Sequence, residues 1–234
     1  MARTPGPDPR SPRDDRPDPT GPAGAPPRPR ARVVVLAGPS GAGKSRLAGR
    51  LAAAHGWPVV RLDDFYRDGD DPSLPVVDLG GGTRLVDWDD PASWDGDAAV
   101  AALAELVDRG RAQVPAYDIA TSRRVGGGTV DLAPGALVLA EGIFAAEAIA
   151  PLRAHGLLHS AWCVRRHPSV TFLLRLARDL RERRKPPLVL LKRGWALRRA
   201  EPGVVARMEA LGATCATPSE TARHLSASHG ADRR

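Results

Sequence analysis

Five apolar residues, Val33-Val34-Val35-Leu36-Ala37, run directly into Gly38-Pro39-Ser40-Gly41-Ala42-Gly43-Lys44-Ser45. The apolar run predicts a buried strand over about 33–37. The glycines stop it, and the helix-compatible residues that follow predict a helix over about 43–54. The glycine-rich turn matches G-x-x-x-x-G-K-[ST], the P-loop pattern. Its glycines let successive backbone N–H groups face one point, which makes an anion-binding concavity. The helix that follows adds its free N-terminal N–H groups and its dipole. In such a turn Lys44 reaches β- and γ-phosphates, and Ser45 ligates Mg²⁺. The expected phosphate cradle is thus Gly38, Ser40, Gly41, Ala42, Gly43, Lys44 and Ser45, with ATP and Mg²⁺ as the implied ligands. The expected architecture is a P-loop NTPase fold, a three-layer α/β/α domain with a parallel sheet and a helical lid. Ligands of such sheets lie beyond the carboxyl ends of the strands.

The 234 residues, 42% of them hydrophobic, suit one domain with appendages. Residues 1–30 hold ten prolines, six arginines and four aspartates. That composition buries too little surface to offset its ordering entropy, so it predicts a disordered tail. The P-loop domain is expected over 31–225, with a frayed polar end over 226–234. No stretch reaches 18 apolar residues without a charge, so no membrane span is expected. The first residues lack the apolar core of a secretory signal. Cys163 and Cys215 are too few for a disulfide framework and sit among apolar neighbours. A cytoplasmic setting is the expectation from these features.

The net charge of +7 is unevenly spread. Between 60 and 147 there are seven Arg/Lys against seventeen Asp/Glu, and between 153 and 208 fourteen against three. A uniformly basic surface would point to nucleic acid. A basic segment facing an acidic half suits a small polyanion held between them, and it suits internal charge pairing equally.

Val59-Val60-Arg61-Leu62 reads as a second strand, which puts Asp63-Asp64-Phe65-Tyr66 at the edge where ligands bind. Transfer to a hydroxyl needs a carboxylate to orient it and accept its proton, a role open to Asp63 or Asp64, which alternation after the strand puts on different sides. Phe65 and Tyr66 offer rings to a ligand or to the core. The substrate loops are expected over about 63–132. Their polar stretch 67–96 reads as a long structureless connection, and it carries Asp89, which could hold a sugar diol. A helix is expected over about 97–109, with Ala98, Ala101, Ala102, Leu103, Leu106 and Val107 as its apolar face, ended by Gly110. Arg123-Arg124-Val125 and Thr129-Val130-Asp131-Leu132 flank three glycines, which predicts a β-hairpin. Tyr66 and Tyr117, the chain's two tyrosines, both fall in these loops. Leu137 to Ala140 is a strand that delivers Glu141 to the place of a Mg²⁺-side carboxylate. A short helix over 145–153 and a strand over 158–164 follow. Arg175 and Arg178 then share a helical face, followed by Arg181, Arg183, Arg184 and Lys185. Such a basic lid, expected over about 170–200, can close over transferring phosphates.

The P-loop, Leu62-Asp63-Asp64-Phe65-Tyr66, Trp88-Asp89-Asp90-Pro91, Pro115 to Arg124, Glu141-Gly142-Ile143 and Arg175-x-x-Arg178-Asp179-x-x-Glu182-Arg183 occur in the order seen in uridine kinases. Over about 31–200 the chain resembles that family, and the wider group of phosphoribulokinases and pantothenate kinases is similar. The resemblance implies transfer of the ATP γ-phosphate to the 5′-hydroxyl of uridine or cytidine. It implies Asp63 as catalytic carboxylate and Tyr66 and Tyr117 lining the nucleoside pocket, and Asp64, Ser122 and Arg124 are expected beside them among the substrate-binding residues. Asp89 would hold the ribose hydroxyls, and Arg175, Arg178 and Arg183 would form the lid. It also implies a homo-oligomer. One departure stands out. The family's Tyr-Asp-Phe-x-x-His reads here Tyr117-Asp118-Ile119-Ala120-Thr121-Ser122, so Ser122 replaces a base-contacting histidine. Arg123 and Arg124 are long enough to donate to a pyrimidine carbonyl instead. A kinase for another small alcohol such as pantothenate, a nucleic-acid-associated NTPase, and a nucleotide-binding regulator remain as alternatives. The acidic loops favour a small-molecule acceptor over nucleic acid, whose phosphates they would repel.

Overall fold

A computed structural model of the chain describes residues 32–78, 82–167, 169–173, 199 and 201–231. The expected N-terminal tail lies outside them, as do Arg175, Arg178 and Arg183 of the expected lid.

Strand β1 (Val33–Ala37) is buried along its whole length, as an all-apolar run requires of a strand covered on both faces. It lies at the centre of a parallel sheet. Helix α1 (Lys44–His55) follows it and buries Leu47, Ala48 and Leu51 on one face. Strand β2 (Val59–Arg61) is short and passes into a 3₁₀ turn over Leu62–Phe65. Two antiparallel strands, β3 (Val76–Asp78) and β4 (Arg84–Val86), then form a small hairpin. The polar stretch 67–96 was expected to lack structure. Val76 and Val77 nonetheless pair with Val86 and Leu85, and Gly82, at φ +80°, precedes the second strand.

Helix α2 (Gly96–Arg109) is capped by Asp95, whose carboxylate accepts from Ala98 N, and ends at left-handed Gly110. Its buried face is Ala99, Val100, Leu103, Leu106 and Val107. The expected face included Ala101, which is exposed. Strands β5 (Arg111–Asp118) and β6 (Arg123–Asp131) form a long antiparallel hairpin. Its turn is not the Gly126-Gly127-Gly128 run, which lies inside β6 opposite Ala116, Pro115 and Val114. The turn is 119–122. Asp118 closes it by accepting from Ala120 N at 2.9 Å and the Thr121 hydroxyl at 2.9 Å, and Ser122 takes φ +51°.

Strand β7 (Val138–Glu141), helix α3 (Ile149–Ala154) and strand β8 (Leu158–Val164) complete the centre. Strand β9 (Thr214–Ala216) pairs in parallel with β8, although the sequence showed only an apolar trace there. Helix α4 (Pro218–Ala231) starts from a capping box in which Glu220 accepts from both Thr217 N and its hydroxyl. It continues through the residues from Ser226 that were expected to fray.

The sheet order is β2-β7-β1-β8-β9, all parallel. From β1 the chain goes out to β2, returns to β7, then crosses β1 to β8. The order therefore reverses at β1, and the crevice such a reversal opens lies beyond its carboxyl end, at the glycine turn. Gly38 shows how tightly that turn is set. Its φ is +143°, and a Cβ there would sit 2.2 Å from Val164 O. No helix among the described residues is long and apolar enough to cross a membrane.

Candidate active site

Three strand ends supply the site. Behind β1, Lys44 is buried at the first turn of α1, and its Nζ donates to Gly38 O at 2.8 Å and Pro39 O at 3.2 Å. The ammonium is thus held across the mouth of the turn. The neighbouring Ser45 points towards β7, and its hydroxyl donates to both carboxylate oxygens of Glu141, at 3.0 and 3.1 Å.

Glu141 is in register with Leu36 of β1 and Arg61 of β2, so the sheet itself fixes it. It is buried, and that burial raises its pKa; the Ser45 hydroxyl and the Lys44 charge oppose the rise, and nearby Asp63 adds to it. A hydroxyl and a carboxylate are hard oxygen donors. Mg²⁺ in phosphate sites takes one or two such protein oxygens beside phosphate oxygens and water, so the pair fits that ion.

Beyond β2, the 3₁₀ turn separates the two aspartates. Asp63 Oδ1 accepts from Ile143 N at 2.8 Å, which hangs its carboxylate over the end of β7 beside Glu141. Asp64 faces the other way. It accepts from Tyr117 N at 3.4 Å and lies 3.8 Å from Arg61 Nη1. Burial raises its pKa, against the pull of Arg61. The turn is anchored by Trp94, whose Nε1 donates to Leu62 O at 2.9 Å.

Tyr66 packs between Trp88, Tyr117 and Phe144, with ring centroids 5.6–5.8 Å away. Its hydroxyl donates to Trp88 O at 3.2 Å. Its pKa is raised well above the phenol range by burial, with Asp63 and Asp89 adding to the effect. Tyr66, Trp88, Tyr117, Ile119 and Ser122 line a cavity of about 210 Å³. The structure therefore brings Tyr66, Tyr117 and Ser122 together. Trp88 and the exposed Ile119 are its further walls.

A clasp holds that cavity open. Gly69 N donates to Ser122 O at 2.7 Å, Tyr117 Oη to Arg67 O at 3.2 Å, and Arg124 N to Asp68 Oδ1 at 2.7 Å. Arg123 pairs with Asp70 at 2.7 Å. The guanidinium of Arg124 bonds Tyr66 O at 3.3 Å and Asp95 at 3.1 Å, so it ties the hairpin to the start of α2. Asp89 does not line the aromatic cavity. It lines an adjoining one of about 210 Å³ with Ile143, Phe144, Glu147 and Arg207, where Arg207 pairs with Glu147 at 2.8 Å.

On the other side of the glycine turn, Arg166 Nε donates to Ala42 O at 3.2 Å. Arg165, Arg166, His167, Ala216, Thr217 and Glu220 line a cleft of about 310 Å³ next to it. Sequence reading passed over this cleft because its halves lie some fifty residues apart. The arginine pair directly after an apolar strand was the available signal. Cys215 borders the same cleft. Burial raises the pKa of both free thiols, Cys215 to about 12, which fits their reading as inert.

The parallel sheet with its flanking helices matches a solved structure. The chain superimposes on a candidate fructose transport system kinase from Silicibacter sp. TM1040 with a TM-score of 0.54. That match covers 78% of this chain and 88% of that one, at 20% identity. This chain has a P-loop NTPase-like α/β/α fold. No protein-family model matches it. It is 34% identical over 123 residues to the inorganic pyrophosphatase TTM2 of Arabidopsis thaliana, covering 51% of this chain and 16% of that protein. It is 32% identical over 126 residues to TTM1 of the same plant, covering 51% of this chain and 17% of that protein. The chain thus spans about a sixth of the length of these relatives. Within this fold, the aromatic cavity and the cleft by Arg166 lie on opposite sides of the glycine turn.

Proposed function

We propose that the protein transfers the γ-phosphate of ATP to a hydroxyl of a small neutral acceptor, most specifically the 5′-hydroxyl of uridine or cytidine. The observation that carries this reading is the convergence of Lys44, Ser45, Glu141 and Asp63 on one sheet edge beside an aromatic cavity. In this reading Asp63 accepts the acceptor's hydroxyl proton, the acceptor oxygen bonds to the γ-phosphorus, and the bond to the β–γ bridging oxygen breaks to release ADP. Lys44 and the loop N–H groups neutralise charge on the β- and γ-phosphates. Ser45 and Glu141 would hold Mg²⁺, which supplies charge neutralisation between those phosphates. The cleft beside Arg166 would take the nucleotide base. Arg175, Arg178 and Arg183 would close over the phosphates. Tyr66 and Tyr117 would face the acceptor's ring and Asp89 its diol, with Asp64 holding the hairpin against the turn.

A coupled ADP-release assay across pyrimidine and purine nucleosides, pantothenate and small sugars, followed by product identification, tests the proposal. Turnover of a nucleoside to its 5′-monophosphate is the expected result. The partial likeness to the two pyrophosphatases supports a second reading, anhydride hydrolysis without an acceptor. Release of phosphate from pyrophosphate, with no acceptor phosphorylated, would favour it.

Two outcomes follow from the geometry. Glu141→Gln should raise the Mg²⁺ concentration for half-maximal rate by about tenfold or more, because the amide keeps one oxygen and loses the charge. A magnesium titration of the rate checks this. Ser122 concerns selectivity. It lines the cavity, but its hydroxyl is short and cannot stack. A pyrimidine carbonyl left without a built partner forfeits about 1–3 kcal/mol when buried, roughly a ten- to hundredfold loss of selectivity. The unaltered protein should therefore discriminate weakly among bases, and Ser122→His should sharpen it. The measurement is kcat/KM for uridine, cytidine and purine nucleosides. A preference for uridine above a hundredfold in both proteins would sink the idea.

A further inference from the structure

Gly142 directly follows Glu141 in sequence and lies against the carboxylate of Asp63. A Cβ at this position would lie 2.7 Å from Asp63 Oδ1, 3.0 Å from Leu62 Cβ and 3.3 Å from Asp63 N. Its φ is not positive, so the demand is for space rather than for an unusual backbone conformation. Neither side of the contact can retreat. Leu62 is fully buried and its carbonyl is held by Trp94, while Glu141 is locked into register between Leu36 and Arg61. The atom with freedom to move is the carboxylate oxygen.

The geometry points to Gly142 as a positioning residue for Asp63: the missing side chain makes a seat over the 142–143 peptide on which the carboxylate rests. Ile143 N–H then fixes Oδ1 at 2.8 Å, which leaves Oδ2 as the oxygen that takes the acceptor's proton. The tripeptide 141–143 thereby supplies a metal-side carboxylate, a seat and a backbone donor in three consecutive residues. A methyl group at 142 rotates the Asp63 carboxylate off the Ile143 donor and away from the acceptor, while the glycine turn and the nucleotide cleft stay as they are. This inference rests on the proposed transfer reaction, with Asp63 as its base.

The test is Gly142→Ala, alone and in an Asp63→Ala background. Alone, it should lower kcat on the order of 10²-fold, the scale of a misplacement near 1 Å. KM for ATP should change less than threefold, and binding of a non-hydrolysable ATP analogue should persist. In the Asp63→Ala background the same substitution should lower the residual rate no further, because the oxygen it displaces is gone. An undiminished kcat in Gly142→Ala, or an equal fold-loss in both backgrounds, overturns the inference. Melting temperatures separate this from a failure of the reaction itself. If no acceptor is ever phosphorylated, the proposed function falls. The contact is then read from stability: Gly142→Ala should cost less melting temperature in Asp63→Ala than in the parent, and an equal cost overturns the seat.

Discussion

Replacing Lys44 with alanine is expected to lower turnover by on the order of 10²-fold or more, in a protein that still folds. The ammonium is buried at the first turn of α1 and donates to the carbonyls of Gly38 and Pro39, so its charge is held where phosphates would enter the glycine turn. A charge in such a place neutralises the γ-phosphate as it transfers, and no water-filled space can substitute for it. The fold should survive because the core of the turn is packed without it: Gly38 against Val164, and Leu47, Ala48 and Leu51 against the sheet. The two lost hydrogen bonds set the stability change at about 1–2 kcal/mol. Steady-state rates beside a thermal melt decide the matter. A folded mutant with near-normal turnover would show that phosphate transfer does not occur at this turn.

The P-loop was legible because all its parts are contiguous. An apolar strand, three glycines and a helix start are encoded in thirteen neighbouring residues, and the structure folds them as strand, turn and helix. Helix α2 was legible for a similar reason, its end being marked by Gly110, while its cap at Asp95 emerged from the structure. The β5–β6 hairpin was found but its turn was misplaced. Three glycines suggest a bend, yet the bend was made by Asp118 bonding forward to Ala120 and Thr121, while the glycines stayed in the ladder. Local side-chain chemistry outweighed backbone permissiveness. Strand β9 is three residues long and is stabilised by pairing with β8, which no window of sequence displays.

Distance in sequence explains the rest. The Ser45–Glu141 contact spans 96 residues and was anticipated only as two separate placements at strand ends. The seat of Asp63 rests on a backbone N–H and an absent side chain, and neither has a residue type that announces it. Alternation along an extended strand was the reason for expecting Asp63 and Asp64 on different sides. They do diverge, but through a 3₁₀ turn after β2 ends.

That divergence sets the second large effect, Asp63→Asn. The substituted amide would keep its oxygen towards Ile143 N–H, since that donor sits 2.8 Å from Oδ1 and needs an acceptor. Its NH₂ would then face the incoming hydroxyl, presenting a donor where the reaction requires a proton acceptor. Size, position and the turn's anchor at Trp94 are all preserved, so nucleotide binding and melting temperature should stay close to those of the parent. Turnover should fall by roughly 10²–10⁴-fold, the usual contribution of a positioned general base. Asp64→Asn should behave differently. Its oxygen can still accept from Tyr117 N, and the pair it loses with Arg61 is long, at 3.8 Å, and largely solvent-exposed on the arginine side. A change in KM for the acceptor within about tenfold is expected there, with kcat nearly retained, because a loosened hairpin weakens binding rather than the chemical step. The decisive comparison is kcat for the two mutants under saturating ATP and acceptor. Loss of turnover in Asp64→Asn alone would move the base to Asp64 and leave the Ile143 bond as a purely structural tie between β2 and β7.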